Sequence, residues 1–194
     1  MIKNRAASVR ARLKQHSDTT KQDFNLTLTH FGLERLLYRL SISEHGQNFL
    51  LKGAFGDAVT PAPESISYPV LLNDLPAPRL RAYSKYTVVA EKFNAICTLG
   101  MANSRMKDYF DLWVLLHGDD LDPTLLRRAI EATRNRRRTP PLTGVPVGLT
   151  DDFATDARKQ TQWRAFLKKN GLEPIALNTL VRTLREVFRK IGAI

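Results

Sequence analysis

Cysteine is almost absent from this sequence: Cys97 is the single one among 194 residues. One thiol cannot form an intrachain disulfide, and so few cysteines are typical of a reducing compartment, so we expect a cytoplasmic protein. Long apolar runs are missing as well, because no stretch approaches the roughly 20 residues that a membrane-spanning helix needs. Composition therefore argues against a disulfide-stabilised domain and against a membrane as the partner.

Acidic residues are scarce relative to basic ones. The chain has 30 Lys and Arg against 19 Asp and Glu, a formal net charge of +11 and a pI near 10.1. This excess favours an anionic partner, nucleic acid before membrane. Four arginines stand close together at 134, 136, 137 and 138; they either complement the end of a helix as a solvated face or bind RNA phosphates. The RNA-binding residues predicted from this cluster are Arg134, Arg136, Arg137 and Arg138.

Metal-binding patterns are also missing. His30 and His45 have no second ligand at the spacing of a metal site. The Asp120-Leu121-Asp122 stretch has the spacing of a paired carboxylate motif, but Pro123 follows it and a helical pattern begins there. Aspartate before such a proline is typical of an N-cap with proline at the first helical position. Asp151 and Asp152 are predicted to cap a helix in the same way, so the sequence predicts no metal ligands.

What the sequence does contain is mostly helical periodicity. Helices are predicted over 5–15, 24–40, 86–99, 104–116 and 122–138, then around Trp163 and Phe166, and over 175–191. Ser17, Asp18 and Thr20 are candidate N-caps for the second helix. Strands are predicted over 48–52 and 78–83, with no convincing β pattern between Lys52 and Arg79. The fold class is therefore mainly α with a residual α+β part.

One charged residue interrupts the apolar pattern of the helix at 86–99. Lys92 lies among Val88, Val89, Ala95, Ile96 and Leu99, where a lysine must snorkel, pair with an acid or point into a polar cavity. Asp108 and Asp111 share one face of the next helix. The short junction at Gly100 would bring the two helices together in antiparallel fashion, so we expect Lys92 to form a salt bridge with at least one of the aspartates. Spacing leaves two interpretations open: a structural ion pair, or a lysine that grips phosphate.

The same stretch, TVVAEKFNAICTLGMANSRMKDYFDLW, resembles the AbiEii/AbiGii-type nucleotidyltransferase toxins of prokaryotes. Their pattern is an AEK-containing helix followed by an R-x-KD-x-x-DL helix, and the matching residues here are Arg105, Lys107, Asp108, Asp111 and Leu112. The resemblance extends through residues 68–83, 55–64 and 50–54. It therefore covers most of the chain.

This resemblance implies a toxin of a toxin–antitoxin or abortive-infection pair, with an antitoxin as its partner. It implies transfer of nucleotides from a nucleoside triphosphate to an acceptor such as tRNA, with Mg²⁺ held by paired aspartates. Lys92, Asp108 and Asp111 would be the catalytic residues, and Lys92 would hold the triphosphate. Lys52 and Gly53 would bind the nucleotide, since the family places backbone amides against the phosphates at this strand-to-helix corner.

The sequence departs from the family pattern at one point. In relatives a helix, an Asp-x-Asp strand and further strands follow the K-G-A/G corner, whereas here Ala54 is joined directly to Phe55. We therefore expect a shortened core over 1–83, a helical C-terminal domain over 84–194 with a Pro/Gly-rich linker at 139–149, and no Mg²⁺ bound by this chain. The expected function is that of a toxin-family protein without transfer activity of its own. The alternatives are an active enzyme that modifies tRNA, or a non-catalytic module that binds RNA or the antitoxin.

Overall fold

The computed structural model describes residues 4–51, 61–118 and 121–194. It is mainly helical with one small sheet, as the sequence predicts. None of the helices in these ranges is both long enough and apolar enough to cross a membrane. The described ranges contain eight α-helices: α1 Arg5–Thr20, α2 Phe24–Ser41, α3 Lys85–Leu99, α4 Met106–Gly118, α5 Pro123–Arg136, α6 Asp151–Thr155, α7 Ala157–Asn170 and α8 Leu177–Lys190.

The sheet has two antiparallel strands, β1 (Glu64–Ser67) and β2 (Arg79–Ala82), with Glu64 opposite Ala82 and Ser67 opposite Arg79. The prediction of β2 is confirmed. The prediction that no strand lies between Lys52 and Arg79 is wrong. Strand β1 was not predicted because it is only four residues long and mostly exposed, so its sequence shows no apolar alternation.

The strand predicted over 48–52 is also wrong in its first part. Asn48 ends a short 3₁₀ helix, Gly46–Asn48, and Leu51 makes a single parallel bridge to Ala82. Lys52 lies outside the described residues. One bridge without neighbouring ladder bonds is not a strand, because regular pairing needs several consecutive hydrogen bonds.

By compactness the chain divides into two units, and the first comprises α1, α2 and the sheet, in residues up to 51 and over 63–82. Helix α1 continues past the predicted end to Thr20, and Lys21 follows with a positive φ of 55°. The residue that caps α2 is Asp23, whose side chain accepts the backbone N–H of Leu26. Ser17, Asp18 and Thr20 are therefore not caps, because α1 already includes them.

The second unit begins at Tyr83 and contains the large hydrophobic core. Helix α3 packs against α4 and α5, and α8 packs against α4 and α6. Trp163 of α7 is buried, and its indole N–H donates to the Ile175 carbonyl at 2.6 Å. Side chains with no exposed surface occupy the centre of this core: Val89, Phe93, Ile96, Tyr109, Leu112, Phe153, Leu177, Leu180, Leu184 and Phe188.

The segment predicted as a linker, 139–149, ends inside this core. A 3₁₀ helix, Val147–Leu149, buries Gly148 and Leu149, and the Tyr109 hydroxyl donates to the Gly148 carbonyl at 2.9 Å. A Cβ at position 148 would lie 2.8 Å from Ile96 Cγ2 and 2.9 Å from the Ile96 carbonyl oxygen. Glycine is therefore required there by close approach to α3 and α4.

The capping predictions for α5 and α6 have different outcomes. Asp122 does cap α5, with Pro123 at the start of the helix and the Leu125 N–H donating to Asp122 Oδ1 at 2.8 Å. The cap of α6 is Thr150, and Asp151 and Asp152 occupy its first turn instead. Carboxylates in a first turn still stabilise the helix through its dipole. The aspartates therefore marked the start of α6 correctly, but the cap is the residue before them.

Candidate functional site

Helix α3 uses two different sides. Ser84 caps it, and one side places Val89, Phe93 and Ile96 in the core. The other side lines an open cavity and carries Val88, Lys92, Ala95 and Leu99. The sequence suggested that Lys92 interrupts the core face of α3. In the structure Lys92 lies on the cavity side of the helix instead. Both sides carry apolar residues at three- and four-residue spacing, so periodicity merged them into one.

Lys92 bridges two carboxylates of α4. Its Nζ lies 2.5 Å from Asp108 Oδ1 and 2.8 Å from Asp111 Oδ2. The exposed fractions of the three side chains are 19% for the lysine and 15% and 23% for the aspartates. The predicted salt bridge is confirmed, and it involves both acids. Lys107 Nζ also lies 2.6 Å from Asp111 Oδ2, but from a side chain that is 72% exposed.

The ion pairs control the charge of this cluster. Burial alone would lower the pKa of Lys92, but its hydrogen bonds and attraction to Asp108 and Asp111 outweigh burial and raise that pKa. Burial likewise acts to raise the pKa of Asp111, and the hydrogen bonds from Lys107 and Lys92 reverse the sign and lower it. The ammonium group and the Asp111 carboxylate are therefore both ionised at neutral pH.

A cavity of about 430 Å³ opens beside Lys92, and we call it the Lys92 cavity. Its charged lining comprises three cations and two carboxylates, an excess of one positive charge. The lining contains both apolar and charged or polar residues. The apolar residues are Tyr83, Val88, Ala95 and Leu99, and the charged or polar residues are Glu91, Lys92, Asn94, Thr98, Arg105, Asp108 and Arg137.

Glu91 connects α3 to the end of α5. Its carboxylate lies 2.6 Å from Arg136 Nη2 and 3.0 Å from Arg137 Nη2, and only 12% of its side chain is exposed. Two of the four arginines predicted to bind RNA are therefore held against one buried carboxylate. Sequence reasoning missed this role of Glu91, because its partners lie 45 and 46 residues further along the chain.

The other two arginines of the predicted cluster differ from these. Arg134 donates to the carbonyl of Pro140, and Arg138 adopts a positive φ of 51° directly after α5. Arg138 is exposed. The four arginines thus do not form one uniform solvated face: Arg137 also lines the Lys92 cavity, while Arg138 faces solvent.

Hydrogen bonds to buried polar groups hold the turn that leads into α4. The Arg105 backbone N–H donates to Asn103 Oδ1 at 2.9 Å, and the Asn103 carbonyl accepts Lys159 Nζ at 2.8 Å. Lys159 is 4% exposed and Asn103 is fully buried. The sequence carried a signal for this lysine, since Lys159, Trp163 and Leu167 recur every four residues along the buried face of α7.

The described residues do not fit the divalent metal that the resemblance implies. No three His, Cys, Asp or Glu side chains come together as a possible metal site in residues 4–51, 61–118 and 121–194. Asp108 and Asp111 lie together, but both bind the Lys92 ammonium, and the two lysines at 92 and 107 together balance their charge. Lys52 and Gly53, predicted to bind the nucleotide, and the Ala54–Phe55 junction lie outside the described residues.

Comparison with protein families gives one result. The family model described as nucleotidyl transferase AbiEii toxin, type IV TA system, matches residues 54–190. This range includes α3, α4 and the whole lining of the Lys92 cavity, and it leaves out α1 and α2. No curated protein and no solved structure matches the chain.

Proposed function

The chain belongs to the family of AbiEii nucleotidyl transferase toxins of type IV toxin–antitoxin systems, and we propose that it binds a nucleoside triphosphate in the Lys92 cavity without transferring nucleotides by itself. The observation that carries this proposal is the composition of the cavity wall. An excess of one positive charge and four apolar side chains line a space of about 430 Å³. That size falls within the roughly 300–1,000 Å³ of small-molecule sites.

The two kinds of lining residue suit the two parts of a nucleotide. Cationic side chains bind phosphate oxygens through charge-assisted hydrogen bonds. The apolar lining residues, which include Tyr83 and Val88, offer a surface for a sugar and base. Lys92 and Asp108 belong to the AEK and R-x-KD segments on which the family resemblance rests, so the cavity is formed by the family's own pattern.

The second half of the proposal concerns chemistry. Phosphoryl transfer needs divalent ions that neutralise the triphosphate and align the attacking and leaving oxygens. Asp108 and Asp111 are committed to Lys92, and the Asp-x-Asp strand of the family is not found after Ala54. Mg²⁺ would supply this stabilisation in an active relative. We therefore propose that this chain is a shortened member that binds the substrate class but lacks the metal-holding acids.

Membership in a toxin–antitoxin family also implies an antitoxin counterpart. The net charge of +11 on this chain favours RNA as a further partner. Since Glu91 already holds Arg136 and Arg137, the two arginines left for this proposal are Arg134 and Arg138. We propose RNA contact there as a second property of the same chain.

The test combines binding with turnover. Purified protein is incubated with labelled nucleoside triphosphates, Mg²⁺ or Mn²⁺ and total tRNA, and nucleotide binding is measured in parallel by equilibrium dialysis. We expect binding and no incorporation into tRNA. Incorporation that disappears in Lys92→Ala would contradict the proposed inactivity, and absence of nucleotide binding would contradict the proposed site.

A further inference from the structure

The cations that line the Lys92 cavity differ in their existing ion-pair partners. This difference determines which cation is available to bind an anion. Lys92 is bound by two carboxylates at 2.5 and 2.8 Å. Those carboxylates are only 15% and 23% exposed. A phosphate that recruited Lys92 would leave Asp108 without a countercharge and Asp111 with only the exposed Lys107, and a stranded, mostly buried carboxylate is strongly destabilising.

Arg137 is also engaged. Its Nε and Nη2 donate to Glu91 Oε2 at 3.3 and 3.0 Å, and the same carboxylate holds Arg136. Glu91 is 12% exposed, so moving Arg137 towards a ligand would weaken a nearly buried ion pair. The charge of Arg137 contributes to the potential of the cavity, but its guanidinium is oriented by Glu91.

Arg105 is different from both. It lines the cavity and is exposed, and its guanidinium makes no salt bridge or hydrogen bond within the described part of the chain. Its backbone is nevertheless fixed, since its N–H donates to the buried Asn103, whose carbonyl is held by Lys159. An anchored backbone with an unengaged planar fork is suited to bind a phosphoryl group through two parallel hydrogen bonds.

We infer that Arg105 is the residue that binds the phosphoryl oxygens of the ligand in the Lys92 cavity, while Lys92 stays between Asp108 and Asp111. This inference rests on the proposed function and deepens it. It shifts the anion contact from the lysine that the family resemblance suggests to an arginine at the cavity wall. It also sets the ligand class: a polyphosphate ester whose terminal phosphates meet Arg105 and whose apolar part meets Tyr83 and Val88.

The experiment uses inorganic triphosphate as the probe, because it carries the phosphates without a base or sugar. Its affinity for the full chain is measured by isothermal titration calorimetry at low salt for the wild type, Arg105→Gln, Arg105→Lys and Arg128→Gln. Arg128 is the matched control: it is exposed on α5 and outside the cavity lining, so its loss changes net charge equally.

We expect Arg105→Gln to weaken triphosphate binding by about tenfold or more, as the loss of a charge-assisted contact implies. Arg128→Gln should change the affinity by about twofold at most, since it removes only a distant, screened charge. Arg105→Lys should fall between them, because it keeps the charge and loses the fork. All variants should retain the thermal melting temperature of the wild type, because neither arginine has a side-chain partner in the described residues.

Two outcomes would overturn the inference, and they can be told apart. Equal affinities for Arg105→Gln and Arg128→Gln, with clear binding by the wild type, would refute the role of Arg105 and leave the proposed cavity function standing. No triphosphate binding by the wild type would refute both the inference and the proposed site.

Discussion

Two lysines bind the same carboxylate, Asp111, and they differ in solvent exposure. Lys92 is 19% exposed and also holds Asp108, whereas Lys107 is 72% exposed. We expect Lys92→Ala to lower the free energy of unfolding by about 3 kcal/mol, because it strands the mostly buried Asp108 and leaves Asp111 with only the exposed Lys107. Lys107→Ala should cost less than about 1 kcal/mol, since exposed pairs contribute little. Urea unfolding followed by circular dichroism measures both.

The comparison is informative because both variants remove an ammonium group from Asp111, and only Lys92→Ala also removes it from Asp108. Similar losses for Lys92→Ala and Lys107→Ala would mean that water in the cavity screens the inner pair as fully as the outer one. Lys92 would then have no structural role beyond that of a surface lysine.

Acid should weaken the same cluster. The hydrogen bonds from the lysines lower the pKa of Asp111 against the effect of burial. A carboxyl group with a lowered folded-state pKa stabilises the fold above its unfolded pKa of about 3.9, and that stability disappears as pH falls through the folded value. We expect the difference in unfolding free energy between wild type and Asp111→Asn to be full at neutral pH and to shrink below about pH 4.

The measurement is a series of urea titrations of both proteins between neutral pH and the acid limit of folding. A constant difference across that range would contradict the assigned ion pair. The raised pKa of Lys92 acts at the other end: its contribution is full at neutral pH and declines only as pH rises through that raised value.

At the level of single residues the sequence was informative where a charge broke an apolar pattern. Lys92, Asp108 and Asp111 could be predicted because a charged group on an apolar helix must find a partner, and the nearest acids lie on the next helix. The pairing of Glu91 with Arg136 could not, since several arginines compete for it in sequence. Only packing of α3 against α5 selects the partner.

Among the secondary-structure elements, the 3₁₀ helix at Val147–Leu149 gives a sharp test of packing. Gly148→Ala would place a Cβ 2.8 Å from Ile96 Cγ2 and from the Tyr109 hydroxyl, so we expect it to destabilise the fold by about 1–3 kcal/mol. Gly144→Ala lies in the same segment with nothing within 4 Å, and it should be neutral or slightly stabilising. Thermal unfolding of both variants distinguishes core packing from a solvated loop.

If Gly148→Ala melts at the wild-type temperature, the 3₁₀ helix Val147–Leu149 is not packed against α3 and α4. The matched glycine is needed because both substitutions restrict the unfolded chain in the same way. Any difference between them therefore reports on the folded state.

Helix boundaries were predictable where a local signal fixed them. Asp122 before Pro123 determined the start of α5, because capping and proline act within one turn. Strand β1 and the burial of Gly148 and Leu149 were not predictable, because both depend on distant partners: β1 on the pairing with β2, and Gly148 on contacts with Ile96 and Tyr109. Proline and glycine indicate an irregular backbone and do not show whether it is buried.

For the whole molecule, the net charge of +11 makes a prediction about RNA. We expect binding to single-stranded RNA to be weakly sequence-specific and to fall with salt, each phosphate contact contributing about −0.7 to the logarithmic slope. The double variant Arg134→Gln/Arg138→Gln should reduce that slope by about 1–2. Fluorescence anisotropy across a salt series measures it, with Arg128→Gln as a control of equal type.

Binding that does not change between low and physiological salt would remove the electrostatic interpretation. An unchanged slope in the double variant would place the contact elsewhere on the basic surface. Arg136 and Arg137 are not part of this test, because their substitution would also release Glu91.

The adjacent positions Glu91 and Lys92 have a consequence for how this family can diverge. Successive helical side chains point about 100° apart, so these neighbours of opposite sign serve different helices. Glu91 holds the end of α5 and Lys92 holds α4. Across relatives, substitutions at position 92 should therefore be inherited together with changes at 108 or 111. Substitutions at 91 should track 136 or 137, so that two adjacent codons evolve as members of separate covarying groups.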